Sequence, residues 1–412
     1  MRDLSRRRLT ALLAASMTSL MLSGGMSAVV SLPRSIVMRT GSALKMPTTA
    51  LLSARVDGGE AAIGDAADGR IELKTRDAGS ARLTYSLLGL VPVKTVNVSV
   101  EPERVLMPGG QSVGIAIDTE GVIVVGASDL GQTPSPVRAA GIRTGDIIQR
   151  ANGSAVESAE ALSEMVEGGA PLTLDVLRGE ERMTMEVTPA LDGRDGRWRL
   201  GAWVRDSTAG VGTLTFSDPG TGLFGALGHA ITDVDTSVTM PVGEGALYEN
   251  RVVDVSPGTR GAPGELTGDF VFHPTAIGDV RLNTGKGVFG SMDAPAASEY
   301  YPDGLPAAPR REIHTGPATL LTTVEGGEVG EYACEVVRLN EGVRDARDMV
   351  VRITDAALLK RTGGIVQGMS GSPIIQDGRL IGAVTHVMVN DPAMGYGISI
   401  ESMLDAAAGL AA

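Results

Sequence analysis

Hydrophobic and polar residues alternate along much of the chain, and this alternation predicts short β-strands. Residues 93–100 read VKTVNVSV, with an apolar residue at every second position towards the end. A period of two is typical of strands that bury one face. Similar pieces, separated by turn-forming residues, recur from residue 34 onwards. The pattern predicts a mainly β, multidomain protein.

Helical periodicity is confined to short segments. In SAEALSEMVEG, residues 158–168, Ala161, Leu162, Met165 and Val166 lie on one helical face, and Gly168 is a stop signal. Residues 355–363 begin with an aspartate, as a helix N-cap does, and end with a glycine. The segment SIESMLDAAAGL predicts one more short helix near the C-terminus.

The N-terminal segment, residues 1–33, has the order of a secretory signal peptide or a signal anchor. Three arginines, Arg6 to Arg8, precede an apolar run from Leu9 to Leu22. Serines, a threonine and glycines interrupt the run, so it is marginal as a membrane span. We expect export, with cleavage and membrane anchoring both open.

Composition divides the remaining chain into three regions. Residues 34–104 form a small β-rich region without a chemical motif. Residues 105–195 are dense in turn signals around the predicted helix. Residues 196–412 contain many short strands with long Gly- and Pro-rich connections, which indicates a barrel or sandwich.

The region 105–195 contains AAGIRTGDIIQRANGSAV, which resembles the central pattern of PDZ domains. These domains take an extended peptide as an added strand and hold its carboxylate with backbone N–H groups of a Gly-rich loop. The resemblance implies that this loop is PGGQSVGI, with Gly110, Ser112, Val113 and Gly114 as peptide-binding residues. The alternative is that these glycines only shape a turn. The bound peptide would be the tail of another protein or a segment of this chain.

Charge and cysteine content narrow the function. The formal net charge of −13 argues against a nucleic-acid partner. The single cysteine, Cys334, excludes an internal disulfide, and its strand-like context predicts a core residue. Trp198 and Trp203 lie near strand patterns and are also predicted in the core. No spacing typical of a metal site occurs, and we expect neither a metal nor another cofactor.

Residues 363–378, GGIVQGMSGSPIIQDG, carry the clearest chemical signal. An activated serine needs a base, a group that orients the base, and N–H donors for the developing oxyanion. The turn resembles the Gly-Asp-Ser-Gly-Gly-Pro turn of chymotrypsin-like serine peptidases. This resemblance implies Ser370 as the nucleophile and Ser372 as a residue that shapes the turn. The N–H groups of Gly368 and Ser370 are then the predicted oxyanion hole.

The chain has four histidines that could serve as the base. We favour His229, in FGALGHAITD upstream of the serine. His386 follows the nucleophile turn on a strand and is predicted to lie in the groove or the core. Together with Met369, it is predicted to border the pocket for the residue before the scissile bond. His273 and His314 lie in loop-like stretches and are predicted to be structural or on the surface.

The orienting acid has three candidates. Asp355 precedes the nucleophile turn, but the helix N-cap position explains it equally well. Asp233 and Asp235 compete because they are close to His229 in sequence.

The stretch from FGALGHAITD to GGIVQGMSGSPIIQDGRLIGAVTHVMVNDPAMGYGISIESML resembles the SpoIVB peptidases of endospore-forming bacteria. The order of apolar segment, PDZ module and peptidase is also similar. The resemblance implies a chymotrypsin-like double β-barrel with nucleophile Ser370, base His229 and acid Asp355.

The same resemblance implies a serine endopeptidase in the space between the two membranes of the developing forespore. It would cleave a membrane-bound regulatory protein, and itself, and so trigger intramembrane processing of a late sigma factor precursor. The alternative is a non-catalytic PDZ adaptor that binds the tails of membrane proteins. Reaction with a fluorophosphonate probe distinguishes the two, because an inert adaptor would not react.

Overall fold

The computed structural model describes residues 27–49, 51–64, 68–269, 275–340, 342 and 345–410. Most of the predicted signal or anchor segment lies outside these residues, and so does His273. No helix in the described ranges has the length and apolar character needed to cross a membrane. The chain divides into two compact units, residues 1–104 and 105–412.

The first unit is a β structure with its own apolar core. Its described strands are β1 (Ser35–Arg39), β2 (Ala43–Pro47), β3 (Leu52–Asp57), β4 (Ala61–Ile63), β5 (Arg70–Thr75), β6 (Gly79–Leu87) and β7 (Val91–Glu101). They form two sheets, of order β1-β7-β6-β3 and β2-β5-β4. The predicted alternation is visible in β7, where Val96, Val98 and Val100 are buried and the residues between them are exposed.

The second unit begins with the following elements: β8 (Val105–Pro108), β9 (Ser112–Ala127), α1 (Pro136–Ala139), β10 (Ile147–Ala151), β11 (Ser154–Ala155), α2 (Ala159–Val166), β12 (Leu172–Arg178), β13 (Glu181–Val187), β14 (Ala190–Leu191), β15 (Trp198–Arg199) and β16 (Ala202–Ser217). Helix α2 matches the predicted amphipathic helix. Its N-cap is Ser158, whose side chain accepts a hydrogen bond from the Ala161 N–H, and its buried residues are Leu162 and Val166.

The rest of the second unit contains β17 (Leu223–Ala226), β18 (Val242–Glu249), β19 (Arg251–Ser256), β20 (Glu265–Asp269), β21 (Gly278–Thr284), β22 (Gly287–Ser291), β23 (Leu305–Pro306), β24 (Gly316–Thr322), β25 (Gly330–Leu339), β26 (Met349–Ile353), α3 (Ala356–Thr362), β27 (Pro373–Gln376), β28 (Arg379–Met388), β29 (Asp391–Ser399) and α4 (Ile400–Ala407). Two short 3₁₀ turns lie at Arg310–Glu312 and Ala408–Leu410.

Two closed barrels follow from the strand pairing of these described elements. In the first barrel the order is β9-β18-β21-β22-β17-β16, and β16 closes the ring by pairing with β9. In the second barrel the order is β24-β25-β26-β29-β28-β27, and β27 closes onto β24. The protein is therefore mainly β, with a PDZ domain and a chymotrypsin-like double barrel.

The PDZ domain is continuous with the first barrel, because strands β9 and β16 belong to both. Strand β9 pairs with barrel strands through residue 119, and its later residues pair with β10 in the PDZ domain. Strand β16 returns from the PDZ domain to the barrel in the same way, because Ala202–Arg205 pair with residues 123–127 and Ser207–Thr213 with residues 112–118. The predicted boundary between residues 195 and 196 therefore does not separate the two folds. Barrel residues lie on both sides of the PDZ domain.

The predicted peptide-binding loop requires a correction. Gly110, Ser112, Val113 and Gly114 belong to the first barrel, not to the PDZ domain. Val113 pairs with Gly212 on one side and with Glu249 on the other, so the strand has no edge to offer a peptide there. All four residues are buried. The sequence SVGI predicts a local loop, whereas in the structure it lies in a strand whose two neighbours come from distant parts of the chain.

The core of the second barrel contains the only cysteine. Cys334 lies on β25, is 3% exposed, and packs with Val336, Val351 and Ile353. Burial raises the pKa of its thiol to about 12, so the thiolate is strongly disfavoured. This confirms the prediction of a core cysteine.

Candidate active site

The nucleophile turn connects α3 to β27 in the second barrel. Helix α3 begins after its N-cap Asp355 and ends at Gly363, which has a left-handed backbone with φ +71°. The chain then passes through Gly368 and Ser370 to β27. Small residues dominate in this turn because it packs closely against the first barrel on one side and against the second barrel on the other.

Gly371 shows why the turn needs a glycine after the serine. Its φ is +96°, and a Cβ atom at this position would lie 2.1 Å from the Thr213 carbonyl oxygen and 2.5 Å from the Leu227 nitrogen. Both clashes are with backbone, which cannot move aside cheaply. The glycine therefore allows the close approach of the serine turn to two segments of the first barrel.

Ser370 and His229 line one cavity, which is formed by residues of both barrels. Its volume is about 580 Å³. The chemically relevant side chains in its wall are those of His229, Ser370, Thr385 and His386, and Gly368 contributes its backbone. The fold thus brings together a hydroxyl from the second barrel and an imidazole from the first, across about 140 residues of sequence.

His229 is held in a defined orientation by its neighbour. It follows β17 after two left-handed residues, Leu227 with φ +66° and Gly228 with φ +72°. Its Nδ1 lies 2.8 Å from the Ala230 carbonyl oxygen. A carbonyl only accepts, so Nδ1 carries the proton and Nε2 of the neutral ring is the free acceptor. Burial lowers the pKa of His229 below its usual value of 6.5, although the Ala230 bond acts in the opposite direction.

The Ser370 hydroxyl is engaged with its own barrel. Its Oγ donates to the Thr385 carbonyl oxygen at 2.7 Å. In this arrangement the proton is directed at the Thr385 carbonyl oxygen and not at His229. Catalytic hydrogen bonds are often unformed without substrate, so this geometry is compatible with a nucleophile.

His386 lies directly against the predicted base. The two imidazole rings have centroids 4.7 Å apart and planes inclined by 39°. Burial lowers the pKa of His386 to about 4, and the nearby His229 and Arg347 act in the same direction, while Asp345 opposes them. Within the described residues its buried Nδ1 has no hydrogen-bond partner. His386 is thus a neutral wall of the cavity, as its predicted place in the groove requires.

The orientation of the predicted oxyanion donors is set by hydrogen bonds to the carbonyl groups of the turn. Five consecutive carbonyls, from Gln367 to Gly371, each accept a hydrogen bond; the donors are, in order, Leu266 N, Thr213 Oγ1, Ser372 N, Thr213 N and Thr215 Oγ1. In a trans peptide the N–H points away from the C=O. The N–H groups of Gly368 and Ser370 therefore face away from Leu266 N and Ser372 N, and both residues line the cavity.

The other two residues of this turn point into the protein. Ser372 is fully buried, and its Oγ donates to Thr322 Oγ1 at 2.9 Å. Ser372 therefore lies within the turn and outside the cavity. Met369 is also fully buried and packs in the core of the second barrel. The prediction that Met369 borders a substrate pocket is wrong, because its side chain points away from the cavity.

The structure does not bring a candidate acid to His229. The Asp355 carboxylate accepts a hydrogen bond from the Leu358 N–H at 2.9 Å and caps α3, and Asp355 does not line the cavity in the described part of the chain. Asp233 is buried and bonded to Arg205 and Thr236. Asp235 pairs with Arg205 at 2.7 Å. Each carboxylate is thus committed to a structural contact.

The remaining histidine of the described chain is on the surface. His314 is exposed, and its Nε2 lies 2.7 Å from the Asp377 carboxylate. This pair raises the pKa of His314 above its usual value. The prediction of a surface residue is confirmed. Among the described residues, no cluster of three or more potential ligands could hold a metal ion.

A second cavity lies in the PDZ domain, where the sequence had not placed one. It has a volume of about 530 Å³ and lies between α2 and the chain from Trp198 to Val204. Helix α2 contributes Ala159, Leu162, Ser163 and Val166 to its wall. Ala202–Arg205 pair on one side with β9, and no second strand pairs with them within the described ranges.

The two tryptophans belong to this groove. Trp203 is 64% exposed and Trp198 is 39% exposed, and both line the cavity. The prediction that they lie in the core is wrong, because strand patterns alone do not show whether a face is covered. A usable signal was present in LGAWV, residues 200–204, where a glycine is flanked by apolar residues as in a PDZ loop.

One protein family and several solved structures are similar to this chain. The family model of the SpoIVB peptidases, S55, matches residues 196–404. A search of curated proteins finds no match. The Rv3671c protease of M. tuberculosis in its active form is similar over 49% of this chain and 74% of its own, with 15% identity and a TM-score of 0.29. The PDZ domain of an SdrC-like protein from Listeria monocytogenes is similar over 21% of this chain and 87% of its own, with 17% identity and a TM-score of 0.19.

Two closed barrels with a serine and a histidine in one cavity define a serine endopeptidase of the chymotrypsin-like class. The family match covers just over half of the chain, including His229 and the whole nucleophile turn. The chain belongs to the SpoIVB peptidase family.

Proposed function

We propose that this endopeptidase acts by acyl transfer, with Ser370 as nucleophile and His229 as general base. The observation that carries the proposal is that both side chains and the two predicted oxyanion donors line a single cavity. Support comes also from the ring orientation. A neutral imidazole that donates from Nδ1 to Ala230 O has an unprotonated Nε2, which is the atom a base needs.

The reaction begins when the Ser370 hydroxyl turns from Thr385 O towards His229. As Oγ bonds to the peptide carbonyl carbon, its proton passes to His229 and the carbonyl electrons move to oxygen. The N–H groups of Gly368 and Ser370 stabilise this oxyanion. When the intermediate collapses, the C–N bond breaks and His229 returns the proton to the leaving amine. Water then hydrolyses the acyl-enzyme by the same steps.

The carbonyl of Ala230 performs part of the work that an acid performs in other enzymes of this class. It fixes the tautomer and the ring orientation of His229 without carrying a charge. It leaves the imidazolium that forms during the reaction without a carboxylate partner. Asp355, which caps α3, is not needed for the tautomer in this arrangement.

We also propose that the groove in the PDZ domain binds an extended polypeptide. The unpaired edge at Ala202–Arg205 offers backbone groups for an added strand, and α2 offers apolar side chains opposite it. The groove therefore takes over the peptide-binding role that was predicted for residues 110–114. Its ligand would be a segment of the substrate or of this chain.

Family membership supports a role in sporulation signalling. We propose that the protein is exported to the space between the forespore membranes, where it cleaves a membrane-bound regulator and itself. Cleavage of the regulator would trigger intramembrane processing of a late sigma factor precursor. The basic and apolar residues before residue 33 support export, by removal of the segment or by anchoring.

The test uses an endospore-forming host that lacks its own SpoIVB-type peptidase. The wild-type chain, Ser370→Ala and Ser372→Ala are expressed in the forespore, and processing of the sigma factor precursor is followed by immunoblotting. We expect processing with the wild type and Ser372→Ala, and none with Ser370→Ala. Processing by Ser370→Ala would refute the catalytic assignment. A wild-type protein that hydrolyses a peptide but restores no processing would refute the signalling role.

A further inference from the structure

Thr213 on β16 contacts both catalytic segments at once. Its N–H donates to the Ser370 carbonyl at 2.9 Å, and its own carbonyl accepts from the Leu227 N–H at 3.2 Å, two residues before His229. Its hydroxyl donates to the Gly368 carbonyl at 2.8 Å. The residue is only 1% exposed. One residue of the first barrel thus joins the nucleophile turn to the segment that carries the base.

The three bonds differ in what they require of the side chain. The two backbone bonds could be made by any residue in this strand except proline. The bond to Gly368 needs a hydroxyl. Its acceptor lies in the middle of three successive peptide planes: the plane before it carries the Gly368 N–H, and the plane after it carries the Ser370 N–H. The two outer planes are held by Leu266 N and Ser372 N, and holding the middle plane between them keeps the two oxyanion donors at a constant angle.

Gly368 needs such a restraint because its own backbone offers none. It has no side chain and a φ of +94°, a region that only glycine adopts readily. The space on its Cβ side is taken by Leu266, whose side chain would lie 3.0 Å from a Cβ atom there. The peptide between residues 368 and 369 is held at both ends, because the Met369 N–H donates to the Val366 carbonyl at 3.1 Å and the Gly368 carbonyl accepts from the Thr213 hydroxyl. Of these two bonds, only the one from Thr213 is made by a side chain and can be removed by substitution.

We propose that Thr213 is a positioning residue that holds the oxyanion hole in register with the nucleophile and the base. The proposal rests on the catalytic roles proposed above for Ser370, His229 and Gly368. Thr213 touches no substrate atom in this mechanism. Its effect is to keep the two N–H donors pointed at the oxygen on which negative charge develops. Hydrogen bonds to this oxygen stabilise the transition state more than the bound substrate.

Thr215 provides a matched control two residues along the same strand. It is fully buried, and its hydroxyl donates to the Gly371 carbonyl at 2.8 Å. It therefore makes the same kind of bond to the same turn, on the far side of the serine. The Gly371 peptide carries neither oxyanion donor. Loss of the Thr215 hydroxyl should cost similar stability but tilt the oxyanion hole less, because it reaches the Ser370 donor only through the bond from the Ser372 N–H to the Met369 carbonyl, which is retained.

The experiment compares Thr213→Val, Thr213→Ser and Thr215→Val in the full-length chain. Hydrolysis of a fluorogenic peptide gives kcat and KM, and thermal melting reports folding. We expect Thr213→Val to lower kcat by roughly 10- to 100-fold with KM changed by less than about threefold, because misplaced catalytic groups cost about this much. Thr213→Ser should stay within about threefold of wild type. Thr215→Val should melt about as early as Thr213→Val but keep kcat within about threefold.

Wild-type kcat in Thr213→Val would overturn the proposal. Equal losses of kcat in Thr213→Val and Thr215→Val would also overturn it, because they would show that any weakening of the turn lowers kcat. Should Thr213→Val not fold, Thr213→Ala removes the same donor with a smaller side chain and without a methyl group in the place of the hydroxyl, and it carries the same expectation. Ser370→Ala is measured alongside. Full activity in that variant would mean that the catalytic assignment, and not the role of Thr213, had failed.

Discussion

At the scale of single residues, the proposed chemistry depends on hydrogen bonds that orient the His229 ring and the Ser370 hydroxyl. The Ala230 carbonyl aims the His229 ring, and the Thr385 carbonyl holds the Ser370 hydroxyl until it rotates. Neither bond involves a charged partner. The proposed catalytic pair is therefore sensitive to burial, since burial lowers the pKa of the His229 imidazole and favours its neutral form.

The first prediction concerns the pH dependence of kcat/KM. A general base works only when unprotonated, so activity rises as pH increases through its pKa. Burial lowers the pKa of His229 below 6.5, and we expect the midpoint of the acid limb below that value. His386 stays neutral over this range, because its pKa is about 4; Arg347 and Asp345 are the charged groups that influence it.

The control for this prediction is His314→Ala. That histidine is exposed and paired with Asp377, and its pKa is raised. Its removal should leave the acid limb where it was. An acid limb centred at or above pH 6.5 in the wild-type enzyme would contradict the buried, neutral base.

Residue types alone predicted a tight turn around Ser370, because such a turn needs small residues where backbones approach closely. Gly371 must lack a side chain where two backbones meet, and that requirement is visible in the sequence. The partners of the turn were not visible. Thr213 and Thr215 are two ordinary strand residues about 155 positions away, and only the closed barrels bring them to the serine.

At the scale of elements, α3 offers a sharp test of Asp355. The carboxylate caps the helix, and an asparagine in this position caps almost equally well. Asp355→Asn should therefore keep both stability and kcat near wild type. Asp355→Ala should destabilise the protein by about 1 kcal/mol, the usual value of an N-cap. Thermal melting and peptide hydrolysis provide the two measurements.

The opposite result would identify an acid. Replacing an orienting aspartate by asparagine lowers kcat by about 10⁴-fold. If Asp355→Asn melted normally but lost this much in kcat, Asp355 would orient the base, and capping α3 would not be its main role. Asp355 would then have to reach His229 in a conformation different from the one described.

Elements with local signals were predictable, and those defined by pairing were not. Helix α2 and the cap of α3 follow from residues within one or two turns, so they were correctly located. The peptide groove depends on which edge of a strand stays unpaired. Strand β9 carries glycines and apolar residues that look like a PDZ loop, yet β16 and β18 cover both its edges. Pairing of this kind is nonlocal and leaves little trace in the sequence.

The groove can be tested by filling it. Ser163 is exposed on α2 and lines the cavity, whereas Glu164, the next residue, is exposed and does not line it in the described structure. Ser163→Trp should reduce binding of a groove-directed peptide at least tenfold, and Glu164→Trp should leave it within about twofold. Fluorescence anisotropy with peptides selected on the wild-type chain gives both affinities. Equal affinity for the wild type and Ser163→Trp would show that peptides bind elsewhere.

At the scale of the whole molecule, the active site exists only between folded barrels. The proposed base, His229, comes from the first barrel and the proposed nucleophile, Ser370, from the second, and β16 bonds to the serine turn across the junction. The same strand begins in the peptide groove at Ala202. The PDZ domain is thus built into the peptidase through two continuous strands, β9 and β16, which explains why a boundary drawn from composition fell inside the fold.

The central claim is that folding makes one hydroxyl, that of Ser370, reactive through His229. The most direct measurement is labelling of the full-length protein with a fluorophosphonate, followed by mass spectrometric location of the adduct. We predict an adduct on Ser370 alone, absent in Ser370→Ala, unaffected in Ser372→Ala and formed at least about 100-fold more slowly in His229→Ala. An adduct on another serine, or a wild-type protein that does not react at all, would contradict the account.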